Sequence, residues 1–176
     1  MSDQAIIDRI LAGDDEAFGQ LVERHHDRCS RLAYRILGNR EDAEEAVQDA
    51  FLRAYRALAS YEERERFQAW LTRILVNQCR TLRAKTERRE LVFSDLELHD
   101  GVTGAPEASN ETWPDLDHAL ARLPTDQREA LVLRYADDLT YEEMSRITGA
   151  GESALKMRVQ RAFARLRTLL GEVASV

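Results

Sequence analysis

Apolar residues recur at alternating spacings of four and three along several stretches of the chain, and this pattern constrains its fold most strongly. Residues so spaced lie on one face of an α-helix, because the helix turns once every 3.6 residues or so. The alternation of apolar and polar residues that marks a β-strand is almost absent. An all-α fold is therefore predicted, with a short helix near residues 5–12 and longer ones over 16–37, 39–58 and 67–85. The inward-facing residues of the longer helices are Phe18, Val22, His25, Cys29, Leu32 and Ile36; Ala43, Val47, Ala50, Ala54 and Leu58; and Phe67, Trp70, Leu71, Ile74, Gln78 and Leu82.

A second helical region follows, with helices predicted over 116–123 and 126–136, the latter capped by Thr125. Thr140 and Glu143 form a capping-box pattern that opens a short helix over 141–147. Gly149 and Gly151 then mark a turn before a last, longer helix. A short helix, a glycine turn and a longer helix follow the helix-turn-helix plan. The apolar stripe of the last helix is Leu155, Val159, Ala162, Leu166 and Leu169.

The formal net charge of -7 is concentrated in one segment. Residues 88–115 hold seven acidic and two basic residues, whereas residues 1–87 and 116–176 are close to balance. The same segment contains Gly101, Gly104, Pro106 and Pro114, which break helices. It is therefore predicted to be a linker, so that the expected domains are 1–87 and 116–176.

The outward face of the second long helix is acidic. Residues 39–50 hold five acidic residues and one arginine, and Leu52 lies at the centre of this face. Such a surface repels DNA and suits protein docking around an apolar anchor. The alternative is a solvated charged face with one exposed leucine. The residues opposite the buried stripe are Glu41, Glu45, Gln48, Asp49, Leu52 and Arg56.

The third long helix has the opposite charge. Residues 72–89 hold six basic residues and one acidic residue, close to the aromatic residues Tyr61, Phe67 and Trp70. Arginines interleaved with aromatic rings suit single-stranded DNA, whose bases stack and whose phosphates bind arginine. Core packing is the alternative for Phe67 and, in part, for Trp70. The predicted outward residues are Thr72, Arg73, Val76, Arg80 and Arg83, with Trp70 and Asn77 along one border.

The last helix carries a local positive charge. Residues 152–168 hold five basic residues and one acidic residue. Phosphate attraction is screened beyond about 8–10 Å, so this local charge governs DNA binding more than the net charge does. The alternative is a solvated basic face of a bundle helix. The outward residues are Ser153, Met157, Gln160, Arg161 and Ala164, flanked by Lys156 and Arg158.

The residues indicate no enzyme active site and no metal site. No phosphate-binding glycine loop or catalytic constellation is apparent in the sequence. His25 and Cys29 lie four residues apart, but both belong to the core stripe, and the isolated Cys29 and Cys79 are interpreted as buried thiols. No catalytic residue, metal or cofactor is therefore expected. No apolar run is long enough to span a bilayer and the N-terminus is unlike a signal peptide, so a cytoplasmic protein without membrane insertion is expected.

Three segments resemble the extracytoplasmic-function sigma factors of the sigma-70 family. DAEEAVQDAFLRAYRAL, FQAWLTRILVNQCRTLRAK and LPTDQREALVLRYADDLTYEEMSRITGAGESALKMRVQRAFARLR are similar to regions 2.2, 2.3/2.4 and 4. The resemblance covers nearly the whole chain outside the linker. It implies a sigma2 domain and a sigma4 domain that bind core RNA polymerase and direct it to promoters.

The resemblance also implies the role of each surface. The second helix would bind the coiled coil of the polymerase β′ subunit, and sigma4 would also contact the β flap. The third helix, with the loop 60–66, would open the minus-10 element and bind its single strand, and the last helix would read the double-stranded minus-35 element. Many relatives are held by an anti-sigma factor, so such a partner is expected. The implied residues are Asp42, Glu45, Gln48, Asp49 and Leu52 for the polymerase; Tyr61, Trp70, Arg73, Asn77, Arg80 and Arg83 for minus 10; and Ser153, Lys156, Met157, Arg158, Gln160 and Arg161 for minus 35.

Two positions depart from the family pattern. Gly151 stands where relatives often have a serine helix cap, which weakens the cap by a few tenths of a kcal/mol. Met157 stands where a small polar residue is usual, on the predicted DNA face. The minus-35 sequence of relatives therefore cannot be transferred to this chain.

Two other functional classes compete with this interpretation. One is a helix-turn-helix regulator that binds duplex DNA without joining core polymerase. The other is a helical adaptor or anti-sigma-like protein, which leaves both basic helices unexplained. Only a sigma factor needs the acidic and the aromatic-basic helix together. For the acidic linker, mimicry of RNA in a basic channel and a simple solvated tether both remain open.

Overall fold

The computed structural model describes residues 2–62, 66–94 and 114–173. These residues form eight α-helices, two short 3-10 turns and no strand, which confirms the predicted all-α fold. None of the described helices is long and apolar enough to cross a bilayer. The helices are α1 (Asp3–Leu11), α2 (Phe18–Leu37), α3 (Arg40–Ala57), α4 (Phe67–Ser94), α5 (Pro114–Ala121), α6 (Thr125–Tyr135), α7 (Tyr141–Thr148) and α8 (Glu152–Val173).

Local capping residues fix where several helices begin. The side chain of Asn39 accepts hydrogen bonds from the backbone of Glu41 at 2.8 Å and of Asp42 at 3.3 Å, which starts α3. The predicted capping box of α7 is present: Thr140 N donates to Glu143 Oε2 at 2.8 Å, and Glu143 N donates to Thr140 Oγ1 at 3.2 Å. The predicted cap of α6 is wrong, because α6 already begins at Thr125 and Pro124 occupies the N-cap position.

The helix-turn-helix is formed by α7, a glycine turn and α8. Gly149 ends α7 with a φ of 72°, a left-handed conformation that costs glycine little. The carbonyl of Gly151 accepts a hydrogen bond from Leu155 N at 3.0 Å and so joins the first turn of α8. All five residues of the predicted α8 stripe are buried. The weaker glycine cap is therefore compatible with a complete helix.

The described helices form two packed units. α1 to α4 make the N-terminal unit, in which α3 packs against α2 and α4, and α5 to α8 make the C-terminal unit, in which α6 packs against α8. The predicted inward residues of α2 and α3 are buried apart from Phe18 and Val22, which are half-buried against the core. The two units also touch, because α6 packs on α2 and α7 packs on α4.

Helices extend into both ends of the segment predicted as the linker. Residues 88–94 continue α4, and α5 already begins at Pro114. A chain rich in Glu, Arg and Leu favours helix continuation, and Arg83 and Glu87 add an ion pair at the i,i+4 spacing. Proline is tolerated at a first helical position because no intrahelical partner exists there for its missing N–H. Residues 95–113, with both suggested roles of the linker, lie outside the described residues.

Candidate nucleic-acid interface

The last helix presents its basic face to solvent. Ser153, Lys156, Gln160 and Arg161 are exposed, as predicted from the helical spacing. The Nζ atom of Lys156 lies 5.5 Å from the centre of the Tyr141 ring, a cation–π distance that links the two helices of the motif. These donors can bind phosphates or base edges in a major groove.

Two residues of α8 stand apart from this pattern. Met157 is a large apolar side chain on the predicted DNA face, and 47% of its surface is exposed. It can contact a thymine methyl group. Arg158 is half-buried, and its Nε lies 3.4 Å from Asp126 Oδ2 on α6, so it is tied to the bundle.

The acidic surface on α3 is also open. Leu52 is 49% exposed, Glu45 and Gln48 are exposed, and Asp42 and Asp49 are half-buried. The sequence prediction missed Tyr55, which is 40% exposed and extends the apolar part of this surface. An apolar anchor ringed by carboxylates can bind a protein surface that carries basic residues.

A cleft beside this surface runs along the groove where α2 and α3 meet. Its floor is apolar and aromatic, and the rings of Phe18 and Tyr55 meet edge to face with centres 5.0 Å apart. Leu52 contributes to this cleft and also to a smaller one between α3 and α4, where Asn77 lies beside Asp49. Asn77 is exposed and lines this smaller cleft, and by helical spacing it lies on the same side of α4 as Arg73 and Arg80.

The predicted outward face of α4 is not a free surface. Thr72 and Val76, both predicted to face outward, are fully buried. α7 packs against α4 at this face. The apolar periodicity of α4 correctly predicted one buried side of the helix but not this second one. Arg73 and Arg83 are half-buried, and Tyr61 is half-buried in an aromatic cluster. The minus-10 residues predicted from the resemblance therefore do not form one open site in this conformation.

Trp70 belongs to the core more completely than predicted. It is only 6% exposed, with its ring centre 5.6 Å from that of Phe67 and 5.3 Å from that of Tyr61. Ring centres at these separations in tilted geometry stabilise a packed cluster. Trp70 therefore offers no open stacking platform for a base in this conformation, and core packing explains it together with Phe67.

Arg80, one of the three arginines of α4 that were expected to bind DNA, is paired within the chain. Arg80 Nη2 donates to Glu129 Oε1 at 2.6 Å and its Nε donates to Glu129 Oε2 at 3.2 Å. Its Nη1 also donates to the Thr148 carbonyl at 3.3 Å. This ion pair is bidentate, and Glu129 is almost fully buried. It therefore holds α4 against α6.

A buried polar cluster lies at the centre of the same contact. Asp137, 2% exposed, accepts a hydrogen bond from Thr72 Oγ1 at 2.5 Å and one from Arg28 Nη1, which also donates to Thr72 Oγ1 at 3.1 Å. Burial lowers the pKa of Arg28 below its ordinary value. The Nε and Nη2 atoms of Arg28 are buried, and neither has a hydrogen-bond partner within the described ranges.

Four ion pairs join the units within the part of the chain that the structure describes, and they have the same direction. In each, the N-terminal unit supplies an arginine and the C-terminal unit a carboxylate. The Arg66–Glu143 pair is bidentate, with donor–acceptor distances of 2.7 to 3.1 Å. Burial raises the pKa of Glu143, but hydrogen bonds from Thr140 and Arg66 outweigh it and hold that pKa below its ordinary value. The pairs are Arg28–Asp137, Arg35–Asp117, Arg66–Glu143 and Arg80–Glu129.

His25 and Cys29 are both buried on the core stripe, as predicted. His25 Nε2 lies 2.9 Å from Asp3 Oδ2, so α1 and not a second cysteine or histidine supplies its partner. Burial lowers the pKa of His25 despite the attraction of Asp3. Burial also raises the pKa of Cys29 to about 11 and that of Cys79 to about 12, which keeps both thiols protonated. Among the described residues, no group of three metal-binding side chains occurs.

Family comparisons agree with this arrangement. The family model described as Sigma-70 region 2 matches residues 21–89, which contain α3 and most of α2 and α4. The model described as Sigma-70, region 4 matches residues 114–166, which contain α5 to α7 and most of α8. The acidic surface of α3 thus lies within the region 2 match, and the basic face of α8 lies within the region 4 match.

Individual proteins align over almost the full length of the chain. The ECF RNA polymerase sigma factor SigM of Mycobacterium tuberculosis (strain ATCC 25618 / H37Rv) is 37% identical over 97% of this chain and 85% of its own. The ECF RNA polymerase sigma factor SigW of Bacillus subtilis (strain 168) is 30% identical over 95% of this chain and 96% of its own. These relatives match both units together.

Solved structures show the same fold. The sigma factor RpoE in complex with the anti-sigma factor NepR from Bartonella quintana superposes with a TM-score of 0.72 at 30% identity, covering 88% of this chain and 96% of that one. CnrH, solved in complex with the cytosolic domain of CnrY, superposes with a TM-score of 0.69 at 28% identity, covering 97% of each chain.

Proposed function

This chain belongs to the extracytoplasmic-function sigma factors of the sigma-70 family, and from that membership we propose that it binds core RNA polymerase and directs promoter-specific initiation. Sigma factors are not enzymes, so the polymerase carries out the chemistry. The N-terminal unit is the proposed sigma2 domain and the C-terminal unit the proposed sigma4 domain. One observation supports this proposal above the others. The chain matches region 2 and then region 4, in that order, and the two matched units carry distinct charged surfaces.

The polymerase is proposed to dock on α3. Leu52 is exposed at the centre of the surface, with Asp42, Glu45, Gln48 and Asp49 around it. A central apolar anchor with a polar rim is the usual distribution of binding energy in a protein interface. The acidic rim suits a basic partner, and the coiled coil of the β′ subunit is the proposed one. The β flap is proposed as a further contact of the C-terminal unit.

The basic face of α8 is proposed to read duplex DNA at minus 35. The residues proposed for it are Ser153, Lys156, Met157, Gln160 and Arg161, because these are exposed on one side of α8. Arg158 is proposed to contribute from the border, since its ion pair with Asp126 is exposed enough to exchange for a phosphate.

Strand binding at minus 10 is proposed for the basic face of α4. Arg73, Arg80 and Arg83 lie along this helix, and arginines contribute through phosphate contacts that do not require an exact base sequence. Tyr61, Trp70 and Asn77 complete the proposed set. Opening the duplex costs a few kcal/mol for each unstacked base, and binding of the released strand offsets that cost.

An anti-sigma factor is proposed as a regulatory partner. The structural relative RpoE is described in complex with one, and it resembles this chain over both units. The two competing functions are less favoured. Neither a helix-turn-helix regulator nor an adaptor explains why residues 21–89 match region 2.

Selection of bound promoters from a randomised duplex library tests this function. We expect the complex of the chain with core polymerase to enrich two separated sequence boxes, and the chain without core to enrich only the upstream one. Arg161→Ala is expected to weaken upstream binding by about 10- to 100-fold, from the loss of one charged hydrogen bond of about 1.5–3 kcal/mol. Met157→Ser is expected to change the selected upstream bases while leaving total affinity within a few-fold. Identical upstream boxes for wild type and Met157→Ser contradict the assignment of Met157.

A further inference from the structure

The smaller cleft, which lies between α3 and α4, has the size of a small-molecule site. Its volume is about 710 Å³, within the range of about 300–1,000 Å³ that is usual for ligand pockets in proteins. Most of its lining residues are polar and a few are aliphatic, so it suits a ligand that has hydrogen-bonding groups and a flat apolar part. The lining includes Arg53, Arg56, Ile74, Asn77, Gln78 and Thr81.

Two neighbouring amide side chains of α4 provide hydrogen-bonding groups in this cleft. Gln78 is only 8% exposed, yet its side chain makes no hydrogen bond within residues 2–62, 66–94 and 114–173. A buried amide without a partner costs free energy, and a ligand that pairs with it removes that cost. Asn77 is exposed on the same cleft, and its side-chain amide likewise has no partner in the described part of the chain. Asparagine and glutamine bind adenine bidentately, at its N6 amino group and its N7 nitrogen.

Two arginines of α3 bring positive charge to the other wall of the cleft. Arg53 and Arg56 are exposed, and among the residues that the structure describes neither forms an ion pair. Arg80 of α4, by contrast, is held by Glu129. Arginine donors that are available bind phosphate oxygens through charged hydrogen bonds. Asp49 lies at the rim, and Arg56 follows it by seven residues, about 10 Å along the helix, so a phosphate is expected at the Arg56 end.

We propose that this cleft binds one adenine nucleotide, with the amides of Asn77 and Gln78 on the base and the guanidinium groups of Arg53 and Arg56 on the phosphate. Ile74 offers an aliphatic surface on which the base can pack. The same chemistry belongs to a free adenosine phosphate and to one nucleotide of a DNA single strand. A free nucleotide gives the protein a small-molecule site, whereas a strand nucleotide adds to the proposed function of α4 and rests on it.

A matched pair of single variants of the full chain tests this site. Arg56→Gln removes one positive charge from the cleft. Arg40→Gln removes the same charge from an exposed position of the same helix that lies outside this cleft. Asn77→Ala removes one amide from the proposed base contact, and its exposed position makes it compatible with the fold.

Two probes distinguish the sources of the nucleotide. Fluorescence anisotropy with ADP labelled on its ribose measures binding of a free nucleotide, and unlabelled ADP and CDP compete for it. A labelled oligonucleotide of cytosines with one central adenine, compared with an all-cytosine one, measures binding of a strand nucleotide. We expect Arg56→Gln to weaken binding of the adenine probe at least about tenfold and Arg40→Gln to change it by less than about twofold. Asn77→Ala is expected to lower the preference for adenine over cytosine at least about threefold.

ADP binding that Arg56→Gln weakens identifies a free nucleotide as the ligand. A preference for the adenine oligonucleotide that Arg56→Gln removes, without ADP binding, identifies the strand. The proposal is overturned if neither probe is bound in this way, or if Arg40→Gln causes an equal loss. Far-UV circular dichroism verifies helix content, and Arg53→Gln replaces Arg56→Gln, with the same criteria, if the latter loses helix. Binding of core polymerase by the wild-type chain is measured in parallel, because its absence contradicts the proposed function and leaves the ADP result unaffected.

Discussion

Leu52→Glu is expected to weaken the complex with core RNA polymerase by at least about 100-fold. Leu52 is exposed at the centre of the acidic α3 surface, and central apolar anchors contribute roughly 2–4 kcal/mol to an interface. The glutamate removes that contribution and also places a carboxylate where the partner would exclude water. Titration of a fluorescently labelled chain with purified core polymerase measures the change.

The chain provides a close control for this substitution. Leu11 on α1 is 55% exposed and lies outside the α3 surface, so Leu11→Glu introduces the same group at a neutral site. Core affinity of Leu11→Glu is expected to stay within about twofold of wild type. Duplex binding through α8 is expected to survive in both variants. Unchanged core affinity of Leu52→Glu, or an equal loss in Leu11→Glu, shows that the polymerase docks elsewhere.

Arg80→Glu is expected to lower the affinity for single-stranded DNA by about 10- to 100-fold even though it opens the chain. The new carboxylate faces Glu129, whose side chain is 7% exposed, and two like charges at such a site repel the units apart. The exposed α4 face then lacks a charged donor worth about 1.5–3 kcal/mol in phosphate binding. Oligonucleotide anisotropy and small-angle scattering report the two effects separately.

A charge-swapped double variant separates the two roles of Arg80, which are its ion pair with Glu129 and its proposed contact with the DNA strand. Arg80→Glu with Glu129→Arg restores an ion pair across the contact, so the radius of gyration is expected to return toward wild type while strand affinity stays low. A swap of Arg146 and Glu142, an ion pair within α7, is the control and leaves both quantities unchanged. Recovery of strand affinity in the Arg80 and Glu129 swap refutes a direct DNA contact by Arg80.

Local rules predicted much of the fold. The stripe of α8 was placed correctly because the 3.6-residue period depends on neighbouring residues alone. The starts of α3 and α7 follow from Asn39 and from the Thr140–Glu143 box, whose hydrogen bonds span three residues at most. The exposed faces of α3 and α8 were predicted for the same reason, since no element within residues 2–62, 66–94 and 114–173 covers them.

Local sequence rules could not predict the contacts between distant segments. Periodicity identified the inward side of α4 but gave no sign that α7 covers the other side, so Thr72 and Val76 were assigned to solvent. One available signal was Val76 itself, an apolar residue among arginines. The Arg28–Asp137 pair spans 109 residues, and no local pattern relates the two side chains. The arginines of α4 were recognised as binding groups, but their partners within the chain were not.

Transcription by purified core polymerase on a randomised promoter library tests the central claim most directly. We expect RNA from a defined subset of templates only when the chain is present, with two upstream sequence boxes shared among the transcribed templates. Leu52→Glu is expected to abolish this RNA, and Leu11→Glu to leave it intact. Transcription that is the same with and without the chain, or that shows no shared upstream sequence, contradicts the assignment of this protein as a promoter-directing sigma factor.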